Sequence, residues 1–155
     1  VPWLRLHGTG NYYNGAMGYP RELSLGENAQ GYYLRLKLAR EVEQAFVITD
    51  HIPAEGPYMM QISSGLDRNF AFSIGDSFLS YLAEERTLLF DGKKYTLLPT
   101  SHEIFMAVDY HILEITQGDE QLLGAYLLQG NTNRVTWQIK AETMIYQLKE
   151  LLWQY

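Results

Sequence analysis

The chain has 155 residues, of which 46% are hydrophobic and 19% charged, a composition that supports one folded domain and excludes the low-hydrophobicity, high-charge profile of disorder. Eighteen Asp and Glu outnumber twelve Lys and Arg, giving a formal charge of -6, and the scattered basic residues disfavour nucleic acid or an anionic membrane surface as a partner. No cysteine is present, which excludes disulfides, thiolate nucleophiles and cysteine-ligated metals, and no apolar run approaches the roughly 20 residues of a membrane span.

The chain opens on Val1, with no charged leader followed by an apolar stretch. Such a start is typical of a processed protein, or of a domain excised from a larger or membrane-anchored protein. We therefore expect residues 1–155 to form a single β-rich domain. The start also favours an extracytoplasmic location without fixing it.

The beginning of the chain combines two candidate strands with a glycine-rich stretch. Apolar and polar residues alternate over 4–7 and 34–39, which predicts strands with one wet face because successive side chains of a strand point to opposite faces. Between them, the glycine density of 8–31 opposes regular structure and predicts a long loop. Tyrosines cluster around this loop at Tyr12, Tyr13, Tyr19, Tyr32 and Tyr33.

Four short segments further along are apolar on both faces. This pattern is expected of strands that are covered on both sides or that line a closed barrel. The segments are also rich in aromatic and β-branched residues, which favours strand over buried helix. They are 45–48, 58–62, 70–74 and 104–108.

A short inserted helix is predicted over 76–84. Phe78, Leu79 and Leu82 would face inward from it, and Asp76 could accept backbone N–H groups at its start. The helix would separate the third doubly apolar segment from the hairpin that follows.

The hairpin is predicted at Asp91-Gly92, between 87–90 and 93–98. Asp-Gly suits a two-residue turn because both central residues of such a turn need positive φ. Further on, 120–129 fits either a helical stripe or a strand. We predict a strand, because Gly124 would cost about 1 kcal/mol inside a helix and the next segment, 135–139, alternates cleanly.

A C-terminal amphipathic helix is predicted over 140–154. Its apolar residues recur at helical spacing along one stripe, at Met144, Ile145, Leu148, Leu151, Leu152 and Tyr155. Tyr146 and Trp153 are seven residues apart and lie on a second face. The stripe must dock on the sheet or on a partner.

Together these elements predict a mainly β (α+β) fold. About eight antiparallel strands would form a strongly curved sheet or a small β-barrel, with the short inserted helix and the C-terminal helix packed against it.

The sequence contains no phosphate-cradling glycine loop and no nucleophile elbow. We therefore predict a non-enzymatic binding domain without a cofactor, which senses or carries a small apolar or amphipathic ligand in a barrel or sheet–helix pocket. Tyrosines and methionines suit such a pocket, because they combine apolar contact area with adaptable shape. The predicted ligand-binding residues are Tyr12, Tyr13, Tyr19, Tyr33, Met59, Met60, Phe72 and Met106.

Two alternatives stay open. The first is a protein interaction or oligomerisation module that docks on another subunit through a sheet edge or the C-terminal helix, with Tyr146 and Trp153 as partner-binding residues. The second is a metal-dependent hydrolase that uses His102, Asp109 and His111, since residues two apart on a strand point the same way.

Overall fold

The computed structural model describes residues 3–4, 16–29, 31–63, 66–100, 102–119 and 121–149. The fold is mainly β, with 58% of the described residues in strands and 4% in a helix. Its elements in chain order are β1 (Trp3–Leu4), β2 (Ala16–Met17), β3 (Arg21–Asn28), β4 (Gly31–Leu38), α1 (Arg40–Gln44), β5 (Phe46–Thr49), β6 (Tyr58–Ile62), β7 (Phe70–Ile74), β8 (Ser77–Leu82), β9 (Thr87–Phe90), β10 (Lys93–Thr96), β11 (Ile104–Asp109), β12 (Ile112–Gln117), β13 (Gln121–Leu127), β14 (Val135–Ile139) and β15 (Thr143–Leu148).

Two antiparallel sheets make up the body of the fold. One has five strands in the order β10-β9-β8-β7-β14, and the other has six in the order β13-β12-β11-β6-β15-β5. Two further hairpins, β1-β2 and β3-β4, form separate two-stranded ribbons. The predicted small barrel is wrong, because the described strands form two open sheets rather than one closed one.

The main core lies between the two sheets, where side chains from both inner faces interlock. Phe72 and Phe90 of the five-stranded sheet are buried there with Met60 and Met106 of the six-stranded sheet. Phe90 and Tyr126 meet across the core with ring centroids 4.2 Å apart. The four doubly apolar segments therefore form strands, as predicted, although the first, β5, leaves Val47 and Ile48 exposed. In the other three strands, the facing sheet rather than a barrel wall covers one of the two faces.

The predicted Asp91-Gly92 hairpin is confirmed. Asp91 and Gly92 have φ of 43° and 81°, and Lys93 pairs with Phe90 directly across the turn. Positive φ at both central residues matches the right-handed twist of the two strands. The strands predicted at 120–129 and 135–139 are also present, as β13 and β14.

The inserted helix predicted over 76–84 is wrong, because this segment is strand β8. Leu79 and Tyr81 are buried while Phe78 is half-exposed, so burial alternates with a period of two. A two-residue turn at Gly75-Asp76 returns β8 antiparallel to β7. The apolar spacing of this segment fits both periods, and pairing with β7 and β9 decides between them.

The C-terminal helix predicted over 140–154 is also wrong, because Thr143–Leu148 is strand β15 between β5 and β6. Ile145 packs against the main core, whereas Tyr146 packs on the opposite face of the sheet. Two neighbours from distant parts of the chain supply the backbone partners of β15, and local periodicity cannot reveal them. Residues 150–155, which complete the predicted stripe, lie outside the described residues.

The loop predicted over 8–31 is wrong for 16–29, which contains β2 and β3. Cross-strand pairs such as Leu25 with Leu34 hold β3 to β4. Gly26 fits this hairpin because a Cβ at residue 26 would lie only 2.5 Å from the Tyr33 ring, which packs over the glycine. After β4, α1 forms one short helix, and no described helix is long and apolar enough to cross a membrane.

Candidate functional site

The outer face of the six-stranded sheet is partly covered by the N-terminal part of the chain. Leu38 and Phe46 pack there on Met59 and Ala107, away from the main core. We call this group, together with the half-buried residues around it, the outer cluster; its half-buried members are Tyr19, Val42, Ala45, Phe105 and Tyr146. The cluster explains why β6 is apolar on both faces.

A buried ion pair fastens this cover to the sheet. Arg21 Nη2 donates to Glu114 Oε2 at 2.9 Å, and the two side chains are only 5% and 3% exposed. The backbone N–H of Tyr19 donates to the other Glu114 oxygen at 2.8 Å, and Arg21 Nη1 donates to the carbonyl of Leu36 at 3.2 Å. Burial leaves both charges dependent on each other. Glu114 therefore anchors the β3-β4 hairpin to β12.

Beside the outer cluster lies a cleft of about 270 Å³, which we call the outer cleft. Its apolar side is formed by members of the outer cluster, and its polar side by carboxylates, an amide and a guanidinium. The lining residues are Arg21, Leu38, Glu43, Phe46, Met59, Gln61, Glu103, Phe105, Thr116, Gly118, Asp119 and Tyr146.

A chain of hydrogen bonds crosses the outer cleft. The Tyr146 hydroxyl donates to Gln61 Oε1 at 2.8 Å, and Gln61 Nε2 donates to Glu103 Oε2 at 2.5 Å. Burial, and the negative charge of Glu103, raise the pKa of Tyr146 above its ordinary value, so Tyr146 remains a donor. Both polar atoms of the Gln61 amide are engaged, which fixes its orientation.

The outer cleft carries more negative than positive charge. Glu43, Glu103 and Asp119 line it. Glu43 forms an ion pair with Lys37 at 3.5 Å, and the charge of the cleft's one guanidinium, Arg21, is neutralised by Glu114, so the carboxylates of Glu103 and Asp119 set the sign. Coulomb repulsion in a partly desolvated cleft disfavours anionic ligands. The site therefore favours neutral, hydrogen-bonding molecules.

A smaller pocket of about 120 Å³ lies next to Tyr19 and contains two carboxylates, Asp109 and Glu114. Burial raises the pKa of Asp109, and burial together with these carboxylates raises the pKa of Tyr19 well above its ordinary range. Both oxygens of Glu114 already accept hydrogen bonds from Arg21 and Tyr19. Glu114 is thus a structural carboxylate, and Asp109 is the one left to face a molecule in this pocket.

The structure places the predicted ligand-binding residues in three different surroundings. Met60, Phe72 and Met106 are fully buried in the main core. Tyr19 and Met59 lie in the outer cluster, where Tyr146, predicted to bind a partner, joins them. Tyr33 lines a separate shallow pocket near His102, whereas Tyr12, Tyr13 and Trp153 lie outside the described residues. The fold thus brings Tyr19, Met59 and Tyr146 together and separates the others.

The three residues of the metal-hydrolase alternative do not converge. His102 precedes β11, whereas Asp109 ends this strand and His111 follows it, so an extended strand separates His102 from the other two. Among the described residues, no group of three or more His, Asp or Glu could hold a metal ion.

The polar side chains of the outer cleft were not anticipated from sequence. Glu114, the partner of the cleft residue Arg21, has a visible signal, because it interrupts the apolar run of β12, and a charge in such a run needs a buried partner. Gln61 interrupts β6 in the same way. Glu103 and Asp119 flank strand ends and resemble ordinary surface residues in the sequence.

Comparison with known proteins gives a fold match without a sequence match. No protein-family model matches the chain, and no curated protein matches it. A GH32 β-fructofuranosidase from Bombyx mori, a mutant in complex with sucrose, aligns with a TM-score of 0.65 at 13% identity over 88% of this chain and 34% of that one. An exo-inulinase from Aspergillus awamori aligns with a TM-score of 0.62 at 12% identity over 92% of this chain and 38% of that one.

The neighbours are therefore glycoside hydrolases, and this chain spans about a third of their length. The predicted function as a non-enzymatic binding domain for an apolar or amphipathic ligand is wrong, because the aligned fold is that of sugar-cleaving enzymes. The structure itself corrects the two alternatives: the C-terminal helix of the interaction module is strand β15, and His102, Asp109 and His111 of the metal-dependent hydrolase do not converge. Identity this low establishes the fold alone.

Proposed function

We propose that this chain is the β-sandwich part of a glycoside hydrolase that acts on fructose-containing sugars. The observation that carries the proposal is the shared two-sheet architecture, which extends over 88% of the chain in the β-fructofuranosidase and 92% in the exo-inulinase. Because a shared fold can host different functions, the substrate comes from the names of these two neighbours and needs a direct test.

The β3-β4 hairpin supports a role within a larger enzyme. One face of this ribbon carries Leu23, Leu25, Tyr32 and Leu34, and Leu25 and Tyr32 are each 75% exposed. A two-stranded ribbon is marginally stable alone, and contiguous exposed apolar surface marks an interface. The neighbours extend over about twice as much further chain as they share with this one. We propose that this face packs against the catalytic part of the same polypeptide.

Hydrolysis assays test the proposed activity. Sucrose and inulin are incubated with the complete polypeptide encoded by the gene and, separately, with the 155-residue chain, and released fructose is measured. We expect fructose release from at least one of these sugars by the complete polypeptide and none by the chain alone, because catalysis is assigned to the rest of the enzyme. Absence of release by the complete polypeptide, or equal release by the chain alone, would refute the proposal.

A further inference from the structure

The outer cleft offers two kinds of surface side by side. Phe105 and the ring of Tyr146, both half-buried, present apolar area, while Gln61, Glu103 and Asp119 present hydrogen-bonding groups. A sugar ring has the same division, since its C–H faces are apolar and its hydroxyl groups are donors and acceptors. Carboxylates accept hydrogen bonds only, so they match a ligand rich in O–H donors.

The polar side of the outer cleft is organised before any ligand arrives. Tyr146 orients the Gln61 amide, and Gln61 in turn orients Glu103. Groups held in place by such a chain lose little freedom on binding, which favours affinity for a small ligand. A surface patch of independent polar side chains lacks this property.

The side chain of Arg21 gives an independent indication that a hydrogen-bond acceptor is missing from the cleft. Its side chain is 5% exposed and lines the outer cleft, and its Nε–H has no hydrogen-bond partner among the described residues. Buried donors are normally satisfied, and an orphaned one is costly. A small adjustment of the guanidinium would let a ligand hydroxyl oxygen supply the acceptor.

Charge and size narrow the ligand class. Glu43 is paired with Lys37, and the remaining carboxylates of the cleft, Glu103 and Asp119, disfavour phosphorylated or carboxylated sugars. The volume of about 270 Å³ lies just below the range of drug-sized pockets, so it suits one or two sugar rings rather than a long oligosaccharide.

We propose that the outer cleft is a binding site for a neutral mono- or disaccharide. This site lies within the β-sandwich itself and stands on the cleft alone, so it goes beyond the proposed enzymatic function. The apolar side packs against a ring face, and Glu103, Gln61 and Asp119 bind its hydroxyl groups.

Titration of the 155-residue chain with fructose, glucose and sucrose, followed by protein amide shifts in NMR, tests the site. We expect saturable binding of at least one neutral sugar with a dissociation constant on the order of 1–10 mM, as is usual for so small a ligand, and no saturation with glucose 6-phosphate. Glu103→Gln and Tyr146→Phe, which keep the side-chain shape, should each weaken binding about tenfold, the effect of one good polar contact. Glu85→Gln, at an exposed carboxylate paired with Lys94 on the other sheet, is the matched control and should bind as wild type.

No saturation with any of the three neutral sugars up to about 100 mM would overturn the proposal, because affinity that weak is no specific site. So would Glu103→Gln and Tyr146→Phe proteins that remain folded by circular dichroism and bind as tightly as Glu85→Gln. These outcomes leave the hydrolysis assay untouched, since the titration uses the chain alone and reads no cleavage.

Discussion

Individual residues contribute unequally to this fold, and Arg21 and Glu114 are the clearest case. Both are almost fully buried and each depends on the other for charge compensation. Loss of one partner leaves an unpaired buried charge, whereas loss of both leaves apolar packing that is close to neutral. We therefore expect the pair to fix the position of the β3-β4 hairpin on β12 more than it adds to net stability.

We expect Arg21→Met to lower the free energy of unfolding by about 3–5 kcal/mol, because it strands Glu114 in the interior. Adding Glu114→Leu should recover most of this loss. Urea denaturation of the 155-residue chain measures both. Lys94→Met is the matched control, since Lys94 and Glu85 are also an ion pair but about half-exposed, and its removal should cost at most about 1 kcal/mol. Equal losses at residues 21 and 94 would contradict a buried, mutually dependent pair.

At the scale of elements, two hairpin turns require glycine for different reasons. Gly75, between β7 and β8, has φ of 55°, and a Cβ there would clash with the carbonyl oxygen of Gln129. Gly92, in the next hairpin, has φ of 81° with open space around it. Both positions favour glycine because of their positive φ. Only Gly75 also lacks the space for a Cβ.

Alanine substitution separates these two requirements. Gly92→Ala should lower the free energy of unfolding by about 1–2 kcal/mol, the cost of a left-handed backbone for a residue with Cβ. Gly75→Ala should lower it by more than about 3 kcal/mol, because the Gln129 backbone must also move. Urea midpoints of the two variants give the comparison, and similar losses would show that the approach of Gln129 is not required by the fold.

Strands could be predicted from the sequence where the turn residues or the spacing of apolar residues fitted a strand and not a helix. Asp91-Gly92 and the four doubly apolar segments produced the expected elements. Two of the failures, at 76–84 and 143–148, are segments whose apolar spacing fits a helix equally well. The strand at 76–84 pairs with its sequence neighbours β7 and β9, whereas the strand at 143–148 pairs with the distant β5 and β6. The outer cleft was not predictable, because Arg21, Gln61, Glu103 and Tyr146 converge only through sheet pairing and the N-terminal cover.

At the scale of the whole molecule, the two sheets bury a continuous core while the β3-β4 hairpin leaves an apolar face uncovered. A domain that worked alone would expose such a face at the cost of solubility. The hairpin is nevertheless firmly attached, through the Arg21–Glu114 pair and the hydrogen bond from the Leu36 N–H to the Asp119 carbonyl. An attached, exposed apolar face fits the contact proposed above with a further part of the same polypeptide.

Hydroxyl-radical footprinting, read residue by residue by mass spectrometry, tests this central claim most directly. Leu25 and Tyr32 should be oxidised several-fold more slowly in the complete polypeptide than in the 155-residue chain, because the proposed contact would cover them there. Tyr110, exposed in the turn between β11 and β12, serves as the internal control and should react equally in both. Equal oxidation of Leu25 and Tyr32 in the two proteins would contradict the proposal that this chain packs, through the β3-β4 hairpin, against a further part of a larger enzyme.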